Sequence, residues 1–172
     1  MASSKRLGRR NLKCGERAIP DGHHVERSCI MPETLTHQTE VTVRFNEADP
    51  LGIVWHGHYL RYFEDGREAF GKQYGVSYLD FYRNGLAVPI VSVQCDYKKP
   101  LRYGDTVVVE TIFESSPAAK IKFSYKMWDR ATGDVVATGT SIQVFVDMKT
   151  FQLQLTIPPF FDSWLNKWGQ GK

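Results

Sequence analysis

VTVRFNEADPLGIVWHGHYLRYFEDGREAFGKQY, residues 41–74, carries two hydrophobic periods in succession. Val41, Val43 and Phe45 alternate with Thr42, Arg44 and Asn46, the period-two pattern of a half-buried strand that runs out at Asp49. Pro50 removes a backbone donor and Gly52 admits the φ angles of a tight reversal. From Gly57 onward Tyr59, Tyr62, Phe63, Gly66, Phe70 and Tyr74 recur at three- and four-residue steps. Arg61, Glu64, Asp65, Arg67, Glu68 and Lys72 fill the polar remainder, so this is an amphipathic helix with a broad aromatic stripe.

The start of that helix lacks the residues that normally close one. Ser, Thr, Asn and Asp cap helices by accepting from the orphan N–H groups of the first turn, and none occurs between Pro50 and Tyr59. Two readings follow. Either Gly57 serves as the cap and water satisfies the remaining donors, or the N–H groups near His56 to His58 are left for an anionic group, favoured there by the helix dipole. An acyl oxygen becoming an oxyanion fits the second reading.

Beyond the helix, residues 76–84 (VSYLDFYRN) predict a short second helix with Leu79 and Tyr82 on one side and Gly85 as its stop. Residues 86–98 are rich in β-branched side chains, with Pro89 marking an edge or bulge. Residues 105–113 form the next strand, ended by Ser115, Ser116 and Pro117. Ile121, Phe123, Tyr125 and Met127 then alternate with Lys120, Lys122, Ser124 and Lys126, and Arg130 to Gly133 reads as a hairpin loop into residues 134–146. Four consecutive strands at this spacing predict an antiparallel meander. The expected architecture is α+β, one curved antiparallel sheet wrapped around one long central α-helix, because so aromatic a helix must be covered. Ile157, Phe160, Phe161, Trp164, Leu165 and Trp168 are too apolar for a free tail and predict a terminal helix packed on the domain or a partner.

At 172 residues, 42% hydrophobic and 13% aromatic, the chain suits one well-packed domain. No apolar run approaches the roughly 20 residues of a membrane span, so no integral membrane contact is expected. Residues 1–30 carry a net charge of +4 and the rest −1, which argues against a nucleic-acid face. Residues 1–35 read as a flexible basic extension, with residues 36–172 as the domain; no secretory signal pattern opens the chain. Cys14, Cys29 and Cys95 have neither metal nor disulfide spacing, which suits a reducing compartment and points to the cytoplasm.

The run Asp49-Pro50-Leu51-Gly52-Ile53-Val54-Trp55-His56-Gly57-His58-Tyr59, with Glu64 after it, resembles the D-x-x-G-[IV]-V-x-[HY]-x-x-Y motif of the 4-hydroxybenzoyl-CoA thioesterase family. It also resembles the related Tol-Pal-associated acyl-CoA thioesterases. The likeness extends through Asp96-Tyr97-Lys98-Lys99-Pro100-Leu101-Arg102-Tyr103-Gly104-Asp105, similar to the family's Y-x-x-P-L-x-x-G-D turn, and covers roughly residues 40–147. The resemblance implies a hotdog fold, a homodimer or homotetramer with the acyl site at a subunit junction, and hydrolysis of an acyl-CoA or carrier-protein thioester without metal or redox cofactor.

Carried over residue by residue, Asp49 is the expected catalytic carboxylate, as nucleophile or general base. Read without the motif, an Asp before Pro is a turn residue. His56 is expected to present its backbone N–H to the thioester oxygen, a donor whose loss costs roughly 3 kcal/mol of transition-state stabilisation. Tyr59 is assigned to the acyl pocket or the core. Glu64 is the runner-up base, against the commoner fate of a solvated helix Glu. Lys98, Lys99 and Arg102 are candidates for the CoA phosphates. A His56–His58 metal pair is disfavoured, since residues two apart on a helix diverge. The competing functions are a hotdog dehydratase or hydratase, whose His and carboxylate are arranged differently, and a non-catalytic acyl-thioester binding module.

Overall fold

The computed structural model describes residues 34–171. In chain order the elements are β1 (Thr36–Thr42), a 3-10 turn (Phe45–Glu47), α1 (Gly57–Tyr74), α2 (Tyr78–Arg83), β2 (Leu86–Ala87), β3 (Ile90–Tyr97), β4 (Thr106–Glu114), β5 (Lys120–Asp129), β6 (Val135–Val144), β7 (Val146–Asp147) and α3 (Pro159–Lys167). The expected N-terminal extension lies outside the described residues except at its end. There Leu35 is buried and its carbonyl accepts from the Phe113 N–H at 3.0 Å, so Leu35 belongs with the domain.

The sheet is antiparallel throughout, in the order β1-β4-β5-β6-β3, and α1 lies against β1 and β4. This is the α+β hotdog arrangement that the sequence predicts. Two details differ. The meander holds only for β4, β5 and β6; β3 pairs with β6 at the far edge, and residues 98–105 carry the chain back across the sheet to β4. The first strand stops at Thr42, and Phe45 turns outward with 79% of its surface exposed, because the 3-10 turn breaks the alternation there.

β5 follows its alternation: Ile121, Phe123, Tyr125 and Met127 are all buried. Phe63 of α1 stacks on Tyr125 with centroids 4.3 Å apart and planes 11° from parallel. Arg67, read from sequence as part of the polar helix face, is buried instead; its Nη1 donates to the Tyr125 hydroxyl at 3.0 Å, which lies 2.5 Å from Ser141 Oγ. On α2 the inward residue is Phe81, while Leu79 and Tyr82 are exposed. Ser77 and Asp80 start that helix as a capping box, and Phe81 packs on Phe145, Phe160 and Phe161 from far along the chain. Pro89 separates β2 from β3, and α3 buries Phe161, Trp164 and Leu165, with Trp164 Nε1 donating to the Tyr74 carbonyl at 2.9 Å.

The close fit of α1 on the sheet depends on Gly139 of β6. A Cβ there would lie 2.5 Å from both the Gln94 carbonyl oxygen and Phe63 Cε2. Gly139→Ala should destabilise the domain by about 1–3 kcal/mol, the usual cost of overpacking. A lower urea midpoint is the expected reading; an unchanged one would mean that helix and sheet are loosely apposed.

The 3-10 turn buries a carboxylate. Glu47 is 2% exposed and accepts from the Tyr62 hydroxyl and from the Arg44 N–H, both at 2.8 Å, with Arg61 Nη1 3.8 Å away. Burial pushes the Glu47 carboxyl up, but the Arg44 N–H, the Tyr62 hydroxyl and the charges of Arg44 and His58 outweigh it and hold it below the ordinary 4.5. A carboxyl lowered in the folded state contributes stability above its unfolded pKa that is lost as pH falls through the folded value. Glu47→Gln should therefore cost roughly 1.5–3 kcal/mol at neutral pH, the scale of hydrogen bonds to a charged group. The gap to wild type should narrow as pH drops below about 4.5. Equal denaturation midpoints at neutral pH would contradict this.

Candidate active site

Both ends of the reversal after Glu47 are tied to the same residue. The Trp55 N–H donates to the Glu47 carbonyl at 2.9 Å, and Ala48 bridges to Val54. Within the loop the Asp49 N–H donates to Ile53 at 2.8 Å and the Gly52 N–H to the Asp49 carbonyl at 2.9 Å; Gly52 adopts φ +74°, where glycine is at ease. Asp49 Oδ1 accepts the Leu51 N–H at 2.8 Å, an Asx turn that fixes the side chain while leaving its other oxygen without a partner among the described residues.

α1 begins as its sequence predicts. His56 is the N-cap in helical geometry (φ −52°, ψ −30°), with no side-chain cap. The His58 N–H returns to Trp55 at 2.9 Å and the Tyr59 N–H weakly to His56 at 3.4 Å, whereas the N–H groups of His56 and Gly57 have no acceptor among the described residues. They stand at the positive end of an 18-residue helix. A Cβ at Gly57 would overlap the Trp55 ring, so a side chain there would have to displace that exposed indole.

A pocket of about 300 Å³ opens beside this helix start, lined by Asp49, Ile53, Val54, His56, Tyr59, Tyr97, Lys98, Lys99 and Pro100. Asp49, His56, Tyr59, Lys98 and Lys99 are thus brought together. Tyr59 is buried at the pocket's back, and its hydroxyl accepts the Leu101 N–H at 3.3 Å; burial pushes its pKa up. Lys99 Nζ is 2.7 Å from Asp134, whose carboxyl this pairing holds below its usual range. Glu64 is exposed on α1 and Arg102 donates its backbone N–H to Asp105 at 2.7 Å; neither lines the pocket. His56 and His58 belong to no group of three or more potential ligands that could hold a metal, among the described residues.

One residue of this pocket, a fixed position of the Y-x-x-P-L-x-x-G-D turn, was given no role in the site by sequence. Tyr97, at the end of β3, donates its hydroxyl to the His56 carbonyl at 3.0 Å, and its ring meets Tyr59 edge-on at 5.0 Å. The signal was its place as the leading tyrosine of that turn, which by itself reads equally as packing at a strand end.

Comparison with known proteins gives the family and the fold. Residues 43–165 match the family described as the Thioesterase-like superfamily. A Bacillus subtilis protein named "Putative acyl-CoA thioesterase YneP" is 38% identical over 113 residues, covering 66% of this chain and 81% of that protein. A 1,4-dihydroxy-2-naphthoyl-CoA hydrolase of Thermosynechococcus vestitus is 29% identical over 136 residues, 78% of this chain and 92% of that one. Among solved structures, a DHNA-CoA thioesterase from Staphylococcus aureus superposes with a TM-score of 0.68 at 25% identity, covering 78% of this chain and 87% of that one. The chain belongs to the Thioesterase-like superfamily and is a thioester hydrolase of hotdog fold.

Proposed function

We propose that the protein hydrolyses an acyl-CoA to the free acid and CoA at the pocket beside the start of α1, in the manner of the 4-hydroxybenzoyl-CoA thioesterase type. The observation that carries this is the pairing of Asp49 with a helix start whose His56 and Gly57 N–H groups are unoccupied. The thioester oxygen lies against those donors and takes up charge as the carbonyl becomes tetrahedral, an interaction stronger in the transition state than in the ground state. Asp49 takes a proton from the water that attacks the carbonyl carbon, or attacks that carbon itself. The C–S bond then breaks and CoA leaves as the thiolate; on the second route a water hydrolyses the acyl-Asp49 anhydride that remains, and on either route the thiolate takes up the proton that the attacking water gave up. Lys98 and Lys99 at the rim suit the CoA phosphates, with Arg102 farther along the same turn.

Asp49→Asn keeps size and the Asx turn but removes the charge that either role needs. The chemical step should slow at least 10²-fold while acyl-CoA binding survives, and Glu64→Gln should be the milder change. Hydrolysis of an acyl-CoA panel, followed with a thiol reagent, reads both. Full turnover in Asp49→Asn with loss in Glu64→Gln would move the base onto the helix.

We also infer a homodimer, the smallest of the assemblies the resemblance implies. Among the described residues β3 is a sheet edge paired on one side only, and it exposes Ile90, Val91 and Val93, an apolar edge that isolated proteins avoid. Sedimentation should find a dimer or a multiple of it, and Val91→Lys should shift it toward monomer. A fully active wild-type monomer would sink this assignment. No helix among the described residues is long and apolar enough to cross a membrane, and cytoplasmic residence rests on the cysteine pattern alone.

A further inference from the structure

The first turn of α1 has to meet two opposed requirements. To hold a thioester oxygen its leading N–H groups must stay unoccupied, yet a helix start without a cap frays. An Asp or Ser cap would steady the turn by accepting from those same N–H groups. The bond from Tyr97 works from the other side: its hydroxyl donates to the carbonyl of His56, at 3.0 Å, and consumes no N–H.

The peptide unit joining His56 to Gly57 is planar and trans, so its C=O and N–H point in opposite directions. Fixing the His56 carbonyl therefore fixes the aim of the Gly57 N–H. Among the described residues, the only other backbone donor reaching that carbonyl from outside the regular helix ladder is the Tyr59 N–H, at a weak 3.4 Å. Tyr97 is itself held in place. Its ring meets Tyr59 edge-on at 5.0 Å and His56 edge-on at 6.4 Å, and it ends a strand paired to β6 through Ala137. Burial and the neighbouring Cys95 push its phenol up, so it remains a proton donor at neutral pH.

We propose that Tyr97 is a positioning residue for thioester hydrolysis, steadying the first turn of α1 through the His56 carbonyl so that its N–H groups stay free and aimed at the acyl oxygen. The proposal rests on the reading of this pocket as the hydrolytic site. Since the bond serves the transition state rather than substrate capture, its loss falls on kcat.

Tyr97→Phe removes the hydroxyl and keeps the ring. With an acyl-CoA that the wild type hydrolyses, kcat should fall about tenfold, less than the loss of a whole oxyanion donor. KM should change less than about twofold and the melting temperature should stay put, as expected when only transition-state stabilisation is lost. Tyr97→Ala, which also removes the pocket wall, should raise KM as well. Amide hydrogen exchange supplies a readout independent of turnover: the Tyr59 amide should exchange severalfold faster in Tyr97→Phe, with amides in the middle of α1 unchanged. An active wild type with undiminished kcat in Tyr97→Phe overturns the proposal, and so does unchanged exchange at the helix start. A wild type inactive on every acyl-CoA and carrier-protein thioester would instead sink the assignment of the pocket, and the exchange measurement would still decide whether Tyr97 steadies the turn.

Discussion

The buried contact between the Glu47 carboxylate and the Tyr62 hydroxyl is the fixed point from which the candidate site is built. The Glu47 side chain ties the turn after β1 to the second turn of α1, and its carbonyl receives the Trp55 N–H just before the helix starts. The excursion that carries Asp49, residues 48–54, therefore leaves and returns at one anchored residue. That is how a loop carboxylate acquires the precision usually found on a strand or helix. A buried charge is costly unless paired and hydrogen-bonded, and Glu47 meets that condition through Tyr62, the Arg44 N–H and Arg61.

Around that point two backbone segments are bonded to each other and to the first turns of the helix. The Val54 N–H donates to the Leu101 carbonyl at 2.8 Å, and the Leu101 N–H donates to the Tyr59 hydroxyl. Loop, helix and the crossing segment after β3 are thus stitched into one unit, with Asp49 on the first, the free N–H groups on the second and Lys98 and Lys99 on the third. The helix dipole favours negative charge there, and Lys98 adds to the same sign of field, whereas the charge of Lys99 is offset by its pairing with Asp134.

Much of this was legible in the sequence because it is local. The alternation of β5, the uncapped start of α1, the hairpin at Gly133 and the break at Pro89 each follow from a few neighbouring residues. What escaped was non-local or depended on where a local pattern stops. Phe45 keeps strand alternation on paper, but the 3-10 turn has already begun. Phe81 rather than Leu79 faces the core because the rings that receive it, Phe145, Phe160 and Phe161, come from far along the chain. Nothing in sequence places β3 beyond β6, buries Arg67 under Tyr125, or lays the hydroxyl of Tyr97 on a carbonyl 41 residues away. The pairing of Asp49 with His56 was readable only because a motif joins them; their periodicities differ.

The central claim is that the unoccupied N–H groups at the start of α1 receive the thioester oxygen while Asp49 faces the carbonyl carbon. A crystal structure of Asp49→Asn with an intact acyl-CoA tests it most directly. The account predicts the thioester oxygen within about 3 Å of the His56 or Gly57 nitrogen, with the substituted side chain at position 49 beside the carbonyl carbon and the CoA phosphates near Lys98 and Lys99. A thioester bound with its oxygen turned away from the helix start, or seated beside Glu64 instead, would contradict it.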